Sequence, residues 1–236
     1  MSEQQSWWCL RATARLIAAR RLTLRTEGLQ HVPPSGPVVI VCRHYHHLFD
    51  GCALLAAIPR PLKFVVGLDW VRRPSSRRLM EVACRAAGWP VILRDERLQR
   101  GGSAFRREEV RPYLRSALHT ARSVLAAGGV LVIFAEGYPI IEPHAIPTRS
   151  ELDFLPVRPG FLHFIELAQQ AGQRVIPIVP IGLSYCRAGR RWQVALRTGA
   201  PLFHDQPAQR AADRSAVETA IRRLSRKESL EGRYGR

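Results

Sequence analysis

The sequence predicts an α/β protein: a mixed central sheet flanked by helices. Three observations lead there. Apolar runs of strand length alternate with stretches of helical periodicity along most of the chain. Two of those runs, residues 38–42 and 129–134, are nearly all apolar, as strands covered on both faces must be. Each is followed at once by polar residues that can do chemistry, around His44 and Glu136, at the strand ends where α/β folds place their sites.

The elements follow in order. Residues 7–25 read as an amphipathic helix. Trp7, Leu10, Ala14, Ile17 and Ala18 recur near helical spacing, with Arg11, Arg15, Arg20, Arg21 and Arg25 among them. Trp at one end and Arg along a polar face suit a helix lying in a membrane interface, and the same pattern suits a helix packed on the protein's own core. Pro33-Pro34-Ser35-Gly36 is a turn. A strand at 38–42 leads into a helix at 48–57, a strand at 62–67 into a helix at 75–87, and a short strand follows at 89–93. Residues 106–127 form a long helical stretch that Pro112 interrupts. After the strand at 129–134, residues 161–171 are helical. The strand at 175–183 carries Pro177 and Pro180, which points to an edge or irregular strand. Another strand spans 192–197. Asp213 caps a last helix with Val217, Ile221 and Leu224 along one face. Residues 94–107 read as a polar loop, and residues 138–158, with four prolines, as a loop over the substrate.

At 236 residues the chain is sized for one domain with a small appendage. No run reaches the ~18 apolar residues of a spanning helix, and the N-terminus lacks the pattern of a signal peptide. The five cysteines are scattered without a Cys-x-x-Cys pair, which fits a reducing cytoplasm and gives no zinc or disulfide framework. The net charge of +17 is the strongest bulk signal. Such a surface attracts phosphate, on anionic lipid, nucleic acid or a small substrate. Only Lys63 and Lys227 are lysine, so the choice of Arg itself reflects composition.

Three short segments could carry chemistry. In Cys42-Arg43-His44-Tyr45-His46-His47-Leu48-Phe49-Asp50, an imidazole at a strand end has a carboxylate nearby to hold its tautomer, the arrangement of a general base for a hydroxyl. His44 sits at the turn, and His46 and His47 also lie within reach of Asp50. A zinc site built from these histidines and Asp50 lacks a distant fourth ligand. In Phe134-Ala135-Glu136-Gly137-Tyr138-Pro139, a buried strand ends in a carboxylate that can grip a hydroxyl and a glycine that lets backbone approach a ligand. In Val91-Ile92-Leu93-Arg94, a strand ends in an Arg that can fork onto phosphate. Taken singly, the last two are an ordinary turn and one surface arginine among many.

Together these segments resemble the glycerolipid acyltransferase family that includes bacterial 1-acylglycerol-3-phosphate acyltransferases. The family's order is His-x4-Asp after a strand, an Arg ending a second, Phe-Pro-Glu-Gly ending a third, and a proline-bearing apolar strand. The counterparts are His44 with Asp50, Val91-Ile92-Leu93-Arg94, Phe134-Ala135-Glu136-Gly137, and Val175-Ile176-Pro177-Ile178-Val179-Pro180. Glu27-Gly28-Leu29-Gln30-His31-Val32-Pro33 resembles the family's Gly-Leu-Glu-Asn-Leu-Pro leader. The likeness runs over residues 27–183. There are departures: His44 and Asp50 are separated by five residues rather than four, which a one-residue bulge accommodates; Ala135 replaces Pro; and Tyr138-Pro139-Ile140 stands where the family has Thr-Arg-Ser. That missing Arg is a phosphate contact in the family, so Arg94, Arg149 or Arg158 must compensate if the acceptor is phosphorylated.

The resemblance implies a glycerolipid acyltransferase-like fold over residues 27–236, with the amphipathic helix at 1–26. It implies His44 and Asp50 as the catalytic pair, Glu136 and Gly137 as acceptor contacts, and Arg94 as the phosphate contact. It implies no metal and no cofactor, with acyl-CoA or acyl-carrier protein as co-substrate. The implied reaction acylates a lyso-lipid acceptor, 1-acylglycerol-3-phosphate first and a phosphate-free or other lyso-lipid second. The implied setting is the cytoplasmic face of an anionic membrane. A basic nucleic-acid-binding protein would also account for the charge, but not for His44, Asp50 and Glu136 at strand ends, so no nucleic acid is expected.

Overall fold

The computed structural model describes residues 3–140, 154–172 and 175–226. Helix α1 (Glu3–Arg21) runs straight into β1 (Leu22–Glu27). Then come β2 (Val38–Cys42), α2 (Phe49–Ala57), β3 (Leu62–Phe64), β4 (Val66–Gly67), α3 (Pro74–Ala87), β5 (Val91–Ile92), α4 (Asp95–Leu98) and α5 (Val110–Ala126). The chain continues through β6 (Val130–Phe134), α6 (Gly160–Gln170), β7 (Ile178–Ala188), β8 (Arg191–Thr198) and α7 (Arg210–Leu224). Six strands form one sheet in the order β1-β8-β7-β2-β6-β3, parallel except for the β7–β8 pair. This is the mixed sheet flanked by helices that the sequence predicts.

β2 and β6 lie beside each other at the centre, and this explains their unbroken apolar character. Alternate side chains of β2 leave on opposite faces. Val38, Ile40 and Cys42 pack with Ala14 and Ala18 of α1 and with Ala53 and Leu54 of α2. Val39 and Val41 pack with Leu125 of α5, Ile165 of α6 and Ile221 of α7. Every β2 residue is buried, and burying each such aliphatic side chain is worth roughly 1.5–3 kcal/mol. A third, smaller core joins Leu68, Val71, Cys84, Leu93, Leu98 and Phe105 around the two-stranded β4–β5 pair. The register sets Cys42 beside Phe134, so the residues after β2 and β6 emerge together at one sheet end.

Several expectations need correction. The first helix ends at Arg21, not near Arg25; Leu22 to Glu27 pair in parallel with β8, where Leu22 reaches the core. The face of α1 with Ala14 and Ala18 is buried, and Arg11 is buried with it, its Nε–H donating to the Leu55 carbonyl at 3.3 Å. That apolar face therefore covers α2 and the sheet. β7 is an interior strand, between β8 and β2. Pro180 is tolerated because its carbonyl accepts the Gly199 N–H at 2.9 Å, and the absent N–H belongs on the same strand edge, between the Ile178–Leu202 bridge and the first β8 pair. Pro112 falls in the first turn of α5, where no helical N–H partner is lost, so the helix is continuous. Asp213 lies inside the first turn of α7 and accepts a hydrogen bond from His204 Nδ1 at 2.6 Å rather than capping the helix. The 62–67 strand is two strands in different sheets, and the 94–107 loop contains α4. Most of the predicted covering loop, residues 141–153 with Arg149, lies outside the described residues. Among the described residues no helix is long and apolar enough to cross a membrane.

Gly28 shows why the leader has a glycine. It turns with φ +73°, and a Cβ there would sit 2.2 Å from the Thr198 carbonyl oxygen, so β1 and β8 could not close at that corner with any other residue.

Candidate active site

The turn after β2 is organised around one carboxylate. Asp50, in the first turn of α2, is fully buried. Its Oδ2 accepts from His44 Nδ1 at 2.8 Å and from the backbone N–H groups of Tyr45 at 2.7 Å and His46 at 2.9 Å. Its Oδ1 accepts from the Tyr185 hydroxyl at 2.6 Å. Four donors on one buried carboxylate fix its position. The extra residue between His44 and Asp50 is absorbed in the turn: two successive N–H groups point at Oδ2 while the Tyr45 ring turns into the core. There it stacks on Tyr185 at 4.3 Å and 7°. Burial first, and then the charge of Asp50, pushes the Tyr185 hydroxyl well above its ordinary range, so it remains a donor.

His44 is the imidazole with an exit. Its side chain is 15% exposed, and its ring stacks on Phe134 of β6 at 4.3 Å and 17°. With Nδ1–H given to Asp50, Nε2 carries the lone pair. His46 is in a different position. Its Nδ1 accepts the N–H groups of Leu48 at 3.2 Å and Phe49 at 3.3 Å, at the start of α2. Burial, aided by neighbouring His47 and His44 and opposed by Asp50, pulls it down to about 4. Its lone pair is spent on the backbone, so it serves as a helix-starting acceptor. Among the described residues no group of three or more His, Cys, Asp or Glu side chains is placed to hold a metal ion.

The segment after β6 closes over the same end. Glu136 is buried, its carboxylate 3.7 Å from Arg43 Nε, and its Oε2 accepts the Leu155 N–H at 3.3 Å. Gly137 turns with φ +78°, and Ile140 N–H donates to the His44 carbonyl at 3.2 Å. Arg94 reaches the same segment: its Nη1 donates to the Gly137 carbonyl. Its other donors fork onto Asp69, Nε to Oδ2 at 2.6 Å and Nη2 to Oδ1 at 2.5 Å. The Arg94 N–H donates to Asp69 Oδ2 at 2.8 Å as well. Burial opposes the guanidinium charge, but the fully buried Asp69 carboxylate outweighs it and raises the Arg94 pKa. The guanidinium also lies over the Tyr138 ring at 4.1 Å. Arg158 lies near the same ring at 5.6 Å and pairs with Glu96 at 2.6 Å.

The structure thus joins His44, Asp50, Phe134, Gly137 and Arg94 through direct contacts, and sets Glu136 beneath them against Arg43. The sequence reading missed Tyr185, Asp69 and Arg43. Asp69 carried a usable signal, a carboxylate just past an apolar strand. Tyr185 carried none, since its partner is 135 residues away.

The structure matches the crystal structure of the 1-acyl-sn-glycerophosphate (LPA) acyltransferase PlsC from Thermotoga maritima with a TM-score of 0.61 at 15% identity, covering 99% of this chain and 83% of that one. The two share a fold. No curated protein matches the chain in sequence. The family model described as Acyltransferase matches residues 23–184, a span containing the His44, Arg94 and Glu136 segments, and the chain belongs to that family.

Proposed function

We propose that the protein is an O-acyltransferase that moves a fatty acyl group from acyl-CoA or acyl-carrier protein to a glycerolipid hydroxyl. The observation that carries this reading is the His44–Asp50 hydrogen bond at the end of a central strand. His44 Nε2 takes the proton of the acceptor hydroxyl as its oxygen attacks the thioester carbonyl. The tetrahedral adduct expels the thiolate, which receives that proton from the imidazolium. The products are an ester and a free thiol. Asp50 holds the Nδ1–H tautomer and stabilises the imidazolium, in the manner of a serine-hydrolase relay with the substrate hydroxyl as nucleophile. The chemistry needs no covalent enzyme intermediate and no cofactor. Glu136 and Gly137 shape the acceptor subsite, Glu136 from below through Arg43.

The leading acceptor is 1-acylglycerol-3-phosphate, giving phosphatidic acid, with Arg94 as the phosphate contact. The fold shared with PlsC and the family membership support it. A second reading has a specific observation behind it. Arg94 spends three of its five N–H bonds on Asp69 and Gly137, and Tyr138 occupies the place of the expected arginine. Both favour an acceptor without a phosphate monoester. Since the acceptor is a lipid, the +17 charge suits work at the cytoplasmic face of an anionic membrane.

The test is mass spectrometry of lipids after incubating pure protein with each acyl donor and a panel of lyso-lipids with and without phosphate. A new ester on a glycerolipid hydroxyl is expected. Phosphatidic acid as the main product supports the first acceptor, and preference for a phosphate-free acceptor the second. No ester from any combination would overturn the proposal.

A further inference from the structure

Helix α3 is amphipathic twice over. Its inner face, Met80 and Cys84, packs on Leu68, Val71 and Leu93. A second apolar stripe, Leu79, Val82, Ala83 and Ala86, recurs at i, i+3, i+4 and i+7 and points to solvent. Leu79 is 69% exposed and Val82 62%. The charges around the stripe are of one sign. Arg78 and Arg85, seven residues apart, run along its flank, and Arg72 and Arg73 precede the helix; all four are exposed. The helix's one carboxylate, Glu81, is turned away to Arg77 at 2.9 Å and to the Tyr113 hydroxyl. Trp70, half-exposed with its Nε1–H given to the Gly67 carbonyl at 2.8 Å, stands just before the arginines.

An exposed aliphatic stripe loses free energy in water unless something apolar covers it. A flank of arginines without a free carboxylate selects a cover that is anionic at its surface and apolar beneath. A bilayer containing anionic lipid has that layering, and arginine with tryptophan at its edge suits the interface. We infer that the outer face of α3 is the membrane-docking surface of this protein. The inference deepens the lipid-acceptor reading and rests on it for its purpose, though not for its geometry. The Ala14–Ala18 face of α1 is already buried against α2 and the sheet, while its outer side carries Trp8, 54% exposed, and Leu16, 52% exposed, which makes that side the control for α3. The same module holds Asp69 and Arg94, so docking through α3 would bring the lipid surface to the element that bonds Gly137.

The experiment is flotation of the full chain on vesicles of phosphatidylglycerol with phosphatidylethanolamine, against neutral phosphatidylcholine vesicles, without substrate. Wild type should float on the anionic vesicles and be released by salt. Leu79→Glu with Val82→Glu should lower partitioning at least about a hundredfold, since two aliphatic side chains lose their burial. Arg78→Glu with Arg85→Glu should lower it at least about tenfold and flatten its salt dependence. Trp8→Ser with Leu16→Ser, which alters the exposed side of α1, should change it little. Unchanged circular dichroism and melting temperature identify folded variants, and Leu79→Ser with Val82→Ser replaces the glutamate pair if that pair does not fold. Undiminished flotation of the α3 variants, or loss of flotation only in the α1 variant, overturns the inference. So does a wild type that ignores vesicles but binds an acidic acyl-carrier protein through the same arginines. Turnover gives an independent check: the α3 variants should match wild type on detergent-dispersed acceptor and fall behind on vesicle-embedded acceptor. A wild type inactive on both defeats the proposed reaction, while flotation still decides the role of α3.

Discussion

Asp50, in the first turn of α2, and Asp69, just past β4, are both fully buried carboxylates, yet they build opposite kinds of site. Asp50 gathers two backbone N–H groups, a tyrosine hydroxyl and one imidazole, and the imidazole keeps its far nitrogen for something else. Asp69 takes up a guanidinium by a two-pronged pairing, and that guanidinium spends a further donor on the Gly137 carbonyl. The first arrangement leaves reactivity at its edge. The second turns charge inward and fixes a loop. A buried carboxylate with a basic partner is therefore not by itself a catalytic signature; what matters is whether the partner retains an uncommitted atom.

The largest expected effect tests the first half of that comparison. Asp50→Asn cannot accept on both oxygens and favours the wrong His44 tautomer. We expect kcat to fall on the order of 10³–10⁴-fold, measured with saturating acyl donor. A loss below tenfold would mean that the Asp50 charge is structural.

The second half is broken or sharpened at Arg94. Arg94→Ala leaves Asp69 buried without its cation, and we expect a loss of about 3–5 kcal/mol in denaturant unfolding. Turnover should then suffer with both kinds of acceptor, and roughly ten- to a hundredfold more with lysophosphatidic acid, whose phosphate Arg94 contacts, while Asp69→Ala should lower both. Replacing both, Arg94→Leu with Asp69→Leu, should recover much of the stability. If Arg94→Ala slows both acceptors equally, Arg94 only fixes the loop through Asp69 and Gly137, and the phosphate-free reading is favoured.

Tyr185→Phe removes one donor from Asp50 without opening a cavity. A hydrogen bond to a buried charge is worth about 1.5–3 kcal/mol. Stability should fall by that amount, and kcat by about tenfold with KM little changed. A larger effect on KM than on kcat would separate Tyr185 from the relay.

The smallest effect concerns His46. Held down to about 4 in the fold against 6.5 in the open chain, it favours the unfolded state as pH drops. Its contribution is complete above about pH 6.5 and is lost as pH falls through 4, because protonation removes the acceptor that the Leu48 and Phe49 N–H groups need. His46→Asn keeps an acceptor there, and its melting temperature should depend less on pH between 6.5 and 4. An unchanged slope would place the acid sensitivity elsewhere.

The fold was legible where local pattern and tertiary role coincide. β2 and β6 are apolar throughout because both faces are covered, and the His44–Asp50 and Glu136–Gly137 segments declare themselves by following such strands. The pattern misled where it serves two purposes. Ala14 and Ala18 give the same periodicity against a membrane or against α2, and only packing decides. Pro180 looked like an edge residue because sequence does not show which strand edge its carbonyl faces. β1 was hidden because six residues following a helix without a break carry no turn signal. Arg94 was found by its place at a strand end, but its partner Asp69 is set by the β4–β5 pairing, and Tyr185 by the β2–β7 pairing.

The central claim is that His44 is the base, and single-histidine variants test it most directly. Turnover of purified His44→Ala, His46→Asn and His47→Ala should be measured on the best acceptor, with melting temperatures to show that each is folded. His44→Ala should lose at least ~100-fold, while the other two retain most activity. Nearly full activity in His44→Ala, with His46→Asn inactive or with all three variants active, would contradict the account.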